Sequence, residues 1–218
     1  MSGQRKNECT FVEPLLRWWR VTNLSRNYPW RTCKDPYKVI VAEILLQRTR
    51  RDKVVEVYNR FIQRYPSPSL LASAKVGDVE RIIEPLGLRK RAKYLVRMAQ
   101  EYIRRIEVVE RGLFEHLPGV GVYVANTVKV LLGFDTPLKA DSSIARVFSR
   151  YFGRPLNKRR PADTKWVNTY LNKCSPHNKK EYILALIDLA WEVCKPRNPL
   201  CEKCPLREEC KYCSARKT

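Results

Sequence analysis

Apolar residues recur at helical spacing along almost the whole chain. Val54, Val55, Tyr58, Phe61, Ile62 and Tyr65 fall on one face of a 3.6-residue repeat, and Pro66-Ser67-Pro68-Ser69 breaks the run. The same period predicts helices around residues 9–21, 36–49, 78–84, 90–106, 122–133, 142–152, 164–174 and 180–193. No segment alternates as a half-buried strand would, and there is no repeat or low-complexity tract. The expected fold class is therefore all-α. Composition shifts little before the C-terminal cysteines, so any boundary falls between helical lobes and not at a linker. The longest apolar runs, residues 39–46 and 183–191, are interrupted by Glu43 and Asp188 and are too short to span a bilayer.

Charge changes the picture next. The 218 residues carry 43 Lys and Arg against 22 Asp and Glu, a formal net charge of +21. A solvated basic surface can account for part of this, but neutralising a phosphate backbone needs such an excess and small-molecule chemistry rarely does. The first residues have no apolar signal-peptide core, so an intracellular, soluble protein is expected, with no membrane partner. Low Met content with abundant Arg and Lys hints at a thermophile.

In that setting, clustered cysteines read as a metal site before a disulfide framework. Cys194, Cys201, Cys204 and Cys210 are separated by six, two and five residues, which brings four thiolates into one short loop. Cys213 complicates the count, because Cys201-x2-Cys204 and Cys210-x2-Cys213 could also make a four-cysteine zinc site. The pairs of such a site usually lie about 15–20 residues apart, so the spacing here is cramped, and Cys213 is expected to be a bystander. Cys9, Cys33 and Cys174 are scattered and read as buried small hydrophobes.

Two features carry chemistry in the middle of the chain. Leu117-Pro118-Gly119-Val120-Gly121 lies between two short helical patterns. Pro118 ends the first, and the glycines allow a tight turn in which backbone N–H groups can closely approach a phosphate at the start of the next helix. Asp141 follows Gly121 by twenty residues. Just before an apolar-periodic helix, it reads first as an N-cap worth about 1 kcal/mol, a role compatible with an exposed carboxylate. Upstream, Glu43 is unusual: the helix around it is apolar on every side, so its carboxyl should titrate high unless something pairs with it.

Together these residues resemble the helix-hairpin-helix DNA glycosylases of the endonuclease III superfamily. The likeness runs over residues 27–210, and the cysteine spacing is similar to that superfamily's 4Fe–4S cluster loop. It implies a six-helix barrel lobe carrying the hairpin (residues 27–138) and a cluster lobe built from both chain ends (residues 1–26 and 139–218), with the target base flipped into the cleft between them. Cys194, Cys201, Cys204 and Cys210 would be the cluster ligands, in a scaffolding role, with Lys195 and Arg197 presented to phosphates.

Within the superfamily, Tyr28-Pro29-Trp30-Arg31, Asp35-Pro36-Tyr37-Lys38-Val39 and Glu43-Ile44-Leu45-Leu46-Gln47-Arg48-Thr49 look like the MutY and archaeal thymine-mismatch branches. Lyase members place a Lys two residues after the second hairpin glycine, and MutY-type enzymes usually a Ser. The chain has Tyr123, similar to archaeal enzymes that remove thymine or uracil opposite guanine. The resemblance therefore implies a monofunctional glycosylase acting on mismatched double-stranded DNA as a monomer. Asp141 would stabilise the sugar cation, Glu43 would assist base departure, and Tyr123 would contact the base. The hairpin would bind phosphates, with Gln47 and Arg48 as candidates to fill the gap in the duplex. An AP endonuclease would follow it, in the cytoplasm and nucleoid of a prokaryote, with a thermophilic archaeon as the expected source. Two alternatives stay open: a MutY-type adenine glycosylase, disfavoured by Tyr123 and by the chain's end soon after the cysteines, and a non-catalytic iron–sulfur DNA-binding module.

Overall fold

The structure, a computed structural model, describes residues 9–87 and 89–215, without the side chains of residues 25 and 26. It is helical throughout, with no strand among the described residues. In chain order the helices are α1 (Val12–Thr22), α2 (Pro36–Leu46), α3 (Arg51–Arg64), α4 (Pro68–Ala72), α5 (Val76–Ile83), α6 (Arg91–Arg104) and α7 (Ile106–Glu110). They continue with α8 (Val122–Leu132), α9 (Ser142–Phe152), α10 (Lys165–Lys173), α11 (Lys179–Asp188) and α12 (Lys211–Ala215). The short α4, α7 and α12 escape the sequence pattern, because one turn and a half is too little for a period to show. A π-helical turn, Leu189–Val193, continues α11 to the first clustered cysteine.

The chain divides into two compact units. One is Arg26–Thr136. At its centre is α2, whose start is set by Pro36 and by the Asp35 carboxylate accepting the Tyr37 N–H at 2.9 Å. It packs on α3, α6 and α8, so residues Val39 to Leu45 are all buried. That is the physical reason the helix is apolar on every side. Tyr28, Trp30 and Arg31 of the Tyr28-Pro29-Trp30-Arg31 motif are interior to this unit, while Pro29 is exposed. Trp30 and Arg31 are buried, and the guanidinium groups of Arg31 and Arg51 lie 4.5 and 4.8 Å from the Tyr28 ring centre.

The other unit comprises Met1–Ser25 and Pro137–Thr218. The N-terminal helix joins it by packing on α11. Trp19 Nε1 donates to the fully buried Asp188 at 2.8 Å, and Arg20 pairs with Glu181 at 2.6 Å. A disulfide joins Cys9 to Cys174 across 165 residues. This corrects the reading of both as scattered hydrophobes. The two thiols meet only because the fold brings the start of the chain to the end of α10, and no spacing rule reports that. Cys33, read the same way, is only half-buried, with its thiol free.

Candidate functional site

The hairpin is a type II turn. The Val120 N–H donates to the Leu117 carbonyl at 3.0 Å, Pro118 holds the second position, and Gly119 takes φ +81° at the third. A side chain at Gly119 would be strained by that φ, and its Cβ would lie 3.3 Å from the Cβ of Tyr94 and 3.7 Å from Ile44. Leu117 and Val120 are buried anchors, while Gly121 is exposed where α8 begins. No side chain caps the start of α8.

The loop after α2 is tied to this turn. Gln47 Nε2 donates to the Gly119 carbonyl at 2.9 Å. The buried Arg91 holds the loop from beneath. Its Nη1 donates to the Leu45 carbonyl at 2.7 Å and its Nη2 to the Thr49 hydroxyl at 2.7 Å and to the Gln47 carbonyl. Arg48 is left exposed at φ +55°, a left-handed backbone that costs a non-glycine residue about 1–3 kcal/mol. Gln47 thus braces the hairpin, and Arg48 is the residue projected outward. The sequence gives no sign of Arg91's role, since it ends a basic stretch that reads as surface.

Glu43 and Tyr123 sit on the packed pair α2 and α8. Glu43 is only 9% exposed, and it is not without a partner. Tyr123 is half-buried in the first turn of α8, where its carbonyl accepts the Thr127 hydroxyl at 3.1 Å.

Asp141, in the second unit, is the N-cap of α9. Its Oδ1 accepts the Ile144 N–H at 2.7 Å. Burial pushes the carboxyl above its ordinary range, opposed by the amides of Ile144 and Ser143 and by the charge of Arg146. It therefore combines a fixed orientation with a desolvated charge, as an acid acting electrostatically requires.

The same helix clamps the cysteine loop. Arg146 donates to the carbonyls of Cys194 (3.0 Å) and Ala190 (2.9 Å). Arg150 donates to the carbonyls of Lys195 (2.7 Å) and Pro196 (3.0 Å) and to Cys194 Sγ at 3.4 Å. Neither arginine is evident in sequence as more than a basic residue on a helix. Lys195 is half-buried and Arg197 exposed. Burial raises the thiols of Cys194 and Cys204, Cys204 to about 12, and Cys204 feels the charges of Cys194, Cys210 and Cys201. Cys213 is within electrostatic reach of Cys201 and Cys210.

Residues 41–172 match the HhH-GPD superfamily of base excision DNA repair proteins. The chain belongs to that superfamily. A thymine-DNA glycosylase from Aeropyrum pernix is 38% identical over 207 residues, covering 91% of this chain and 92% of that protein. A thymine/uracil-DNA glycosylase from Pyrobaculum aerophilum is 35% identical over 204 residues, covering 90% of this chain and 88% of that protein. Among solved structures, a thermostable thymine-DNA glycosylase superposes with a TM-score of 0.79 at 29% identity, covering 94% of this chain and 95% of the other. The helix-hairpin-helix expectation and the all-α fold are thus borne out.

Residues 194–210 match the iron–sulfur binding domain of endonuclease III, and the cofactor of this chain is a 4Fe–4S cluster. The donor set fits it. Among the described residues, no three His, Cys, Asp or Glu side chains form a group that could hold a single metal ion. A four-iron cluster holds its thiolates further apart than one ion does, and four cysteines within electrostatic reach of one another suit that wider centre. No helix among the described residues is long and apolar enough to cross a membrane.

Proposed function

We propose that the protein is a monofunctional DNA glycosylase that removes thymine or uracil mispaired with guanine from double-stranded DNA, opening base excision repair. The observation that carries this reading is likeness along nearly the whole chain to thymine and thymine/uracil glycosylases, at 38% and 35% identity. The net charge of +21 suits a duplex partner.

The residues take these roles. A mispaired base is extruded at lower cost than a Watson–Crick one. Gln47 and Arg48 occupy the gap, with Arg48 the projecting member. Amides of the Leu117-Pro118-Gly119-Val120-Gly121 turn hold a backbone phosphate, and Lys195 and Arg197 hold others. Tyr123 contacts the base, and Glu43 bonds its edge or assists its departure. As the glycosidic bond breaks, positive charge develops on the sugar, and the ionised Asp141 stabilises it while positioning water. No Lys stands at position 123 to attack the sugar, so the product is an intact strand with an abasic site, which passes to an AP endonuclease. Cys194, Cys201, Cys204 and Cys210 hold the cluster, which supplies a rigid frame for the basic loop. The protein works as a monomer in the cytoplasm of a prokaryotic cell.

The test uses end-labelled duplexes carrying G·T, G·U, A·G or A·8-oxoguanine pairs, incubated with protein and then treated with or without alkali. Strand scission at G·T and G·U only after alkali is expected. Scission confined to A·G or A·8-oxoguanine would make it an adenine glycosylase, and binding without base loss would make it a non-catalytic module.

A further inference from the structure

The cluster loop holds one thiol more than a 4Fe–4S cluster needs. Cys213 lies on α12, outside the matched iron–sulfur segment 194–210, and is buried. Its thiol is within electrostatic reach of those of Cys201 and Cys210. Cys201 and Cys213 also share the wall of one pocket of about 340 Å³, with Pro199, Leu200, Lys203 and Arg207. The two cysteines differ in exposure. Cys201 begins a short 3-10 turn and is partly exposed, whereas Cys213 stands behind it, shielded. Cys201, a partly exposed thiol of the set, therefore has a buried neighbour of identical chemistry.

We propose that Cys213 is a reserve ligand of the iron–sulfur cluster, able to take over the iron site served by Cys201. The inference rests on the reading of Cys194, Cys201, Cys204 and Cys210 as the resident ligands. In the exchange, the iron–sulfur bond to Cys201 breaks and one to Cys213 forms. The proton leaving Cys213 ends on the displaced Cys201 sulfur, so no oxidation state changes. When Cys201 has been oxidised to its sulfinic acid by a peroxide, the proton goes to water instead. Cys213 is within reach of Cys210 as well, but Cys210 is buried, so the partly exposed site that it backs up is that of Cys201.

Anaerobically purified wild-type, Cys201→Ala, Cys213→Ser, Cys194→Ala and Cys201→Ala/Cys213→Ser proteins are compared for iron and sulfide content and for visible charge-transfer absorbance, with far-UV circular dichroism reporting the fold. Wild type, Cys213→Ser and Cys201→Ala should retain most of their iron, while Cys194→Ala and the double variant should lose nearly all of it. A folded Cys201→Ala protein without iron, or equal iron in Cys201→Ala and the double variant, overturns the proposal. Loss of iron from Cys213→Ser alone also overturns it, by making Cys213 a resident ligand. Absence of iron from the wild type would instead defeat the cluster reading itself. A second measurement needs no Cys201 variant: under dilute hydrogen peroxide, wild-type absorbance should bleach several-fold more slowly than that of Cys213→Ser, and equal rates refute the reserve role.

Discussion

Arg146 Nε donates to the backbone carbonyl of Cys194 at 3.0 Å. Through that bond, one helix carries the capping carboxylate of Asp141 at its first turn and grips the start of the cysteine loop from its second. Burial lowers the Arg146 pKa, and the charges of Cys194 and Asp141 oppose that effect. The acid and the first proposed cluster ligand are thus both tied to α9. Replacing Arg146 with Met would leave the Ala190 carbonyl without this donor and weaken the hold on Cys194. A loss of about 1–3 kcal/mol in stability is expected, together with faster iron loss to a chelator. Thermal melting and the rate of bleaching would report the two effects.

Reduction of the Cys9–Cys174 disulfide should destabilise the unit that contains both chain ends. A bridge closing so long a loop contributes about 2–5 kcal/mol, which corresponds to a fall of about 5–15 °C in melting temperature for a chain of this size. Melting with and without dithiothreitol, beside a Cys9→Ser/Cys174→Ser variant, checks it. Hyperthermophilic organisms are the known setting for structural disulfides inside cells.

Gly119→Ala tests the hairpin. With φ at +81° and Tyr94 Cβ at 3.3 Å, the added methyl should cost about 1–3 kcal/mol in stability. Affinity for matched and mismatched duplexes should fall alike, because phosphate contacts do not read sequence. Titration of both duplexes by fluorescence anisotropy measures this, and a mismatch-only effect would place the turn at the base instead.

Much of this was legible because the signals are local. The helical period located the long helices, the Pro-Gly turn its own geometry, and Asp141 its cap, since each depends on neighbours within a few residues. Burial of Glu43 followed from an apolar face on every side of α2. What escaped was non-local. Cys9 and Cys174 lie 165 residues apart. Arg91, Arg146 and Arg150 look like surface cations until the carbonyls they serve are seen. Gln47, read as a candidate to fill the duplex gap, is shared with the hairpin through Gly119, a contact 72 residues distant.

The acid limb of activity should report Asp141. Its folded carboxyl titrates above the ordinary 3.8, so the folded state holds this proton more tightly than the unfolded chain. Ionisation as pH rises through that raised value therefore costs stability, and the cost vanishes as pH falls below 3.8. Base release runs the other way, because the role proposed for Asp141 needs the carboxylate, and it should decline as pH falls through the raised value. The difference in melting temperature between wild type and Asp141→Asn, followed against pH, isolates this group: the variant should gain relative to wild type towards neutral pH.

The most direct measurement is single-turnover release of thymine from a G·T duplex by wild type and Asp141→Asn, with duplex affinity measured in parallel. Asparagine can still cap α9 but carries no charge for the sugar cation. The account predicts that release is lost while affinity is kept and the melting temperature does not fall. Undiminished release by a folded, DNA-binding Asp141→Asn protein would contradict it, and would leave Asp141 as a helix cap alone.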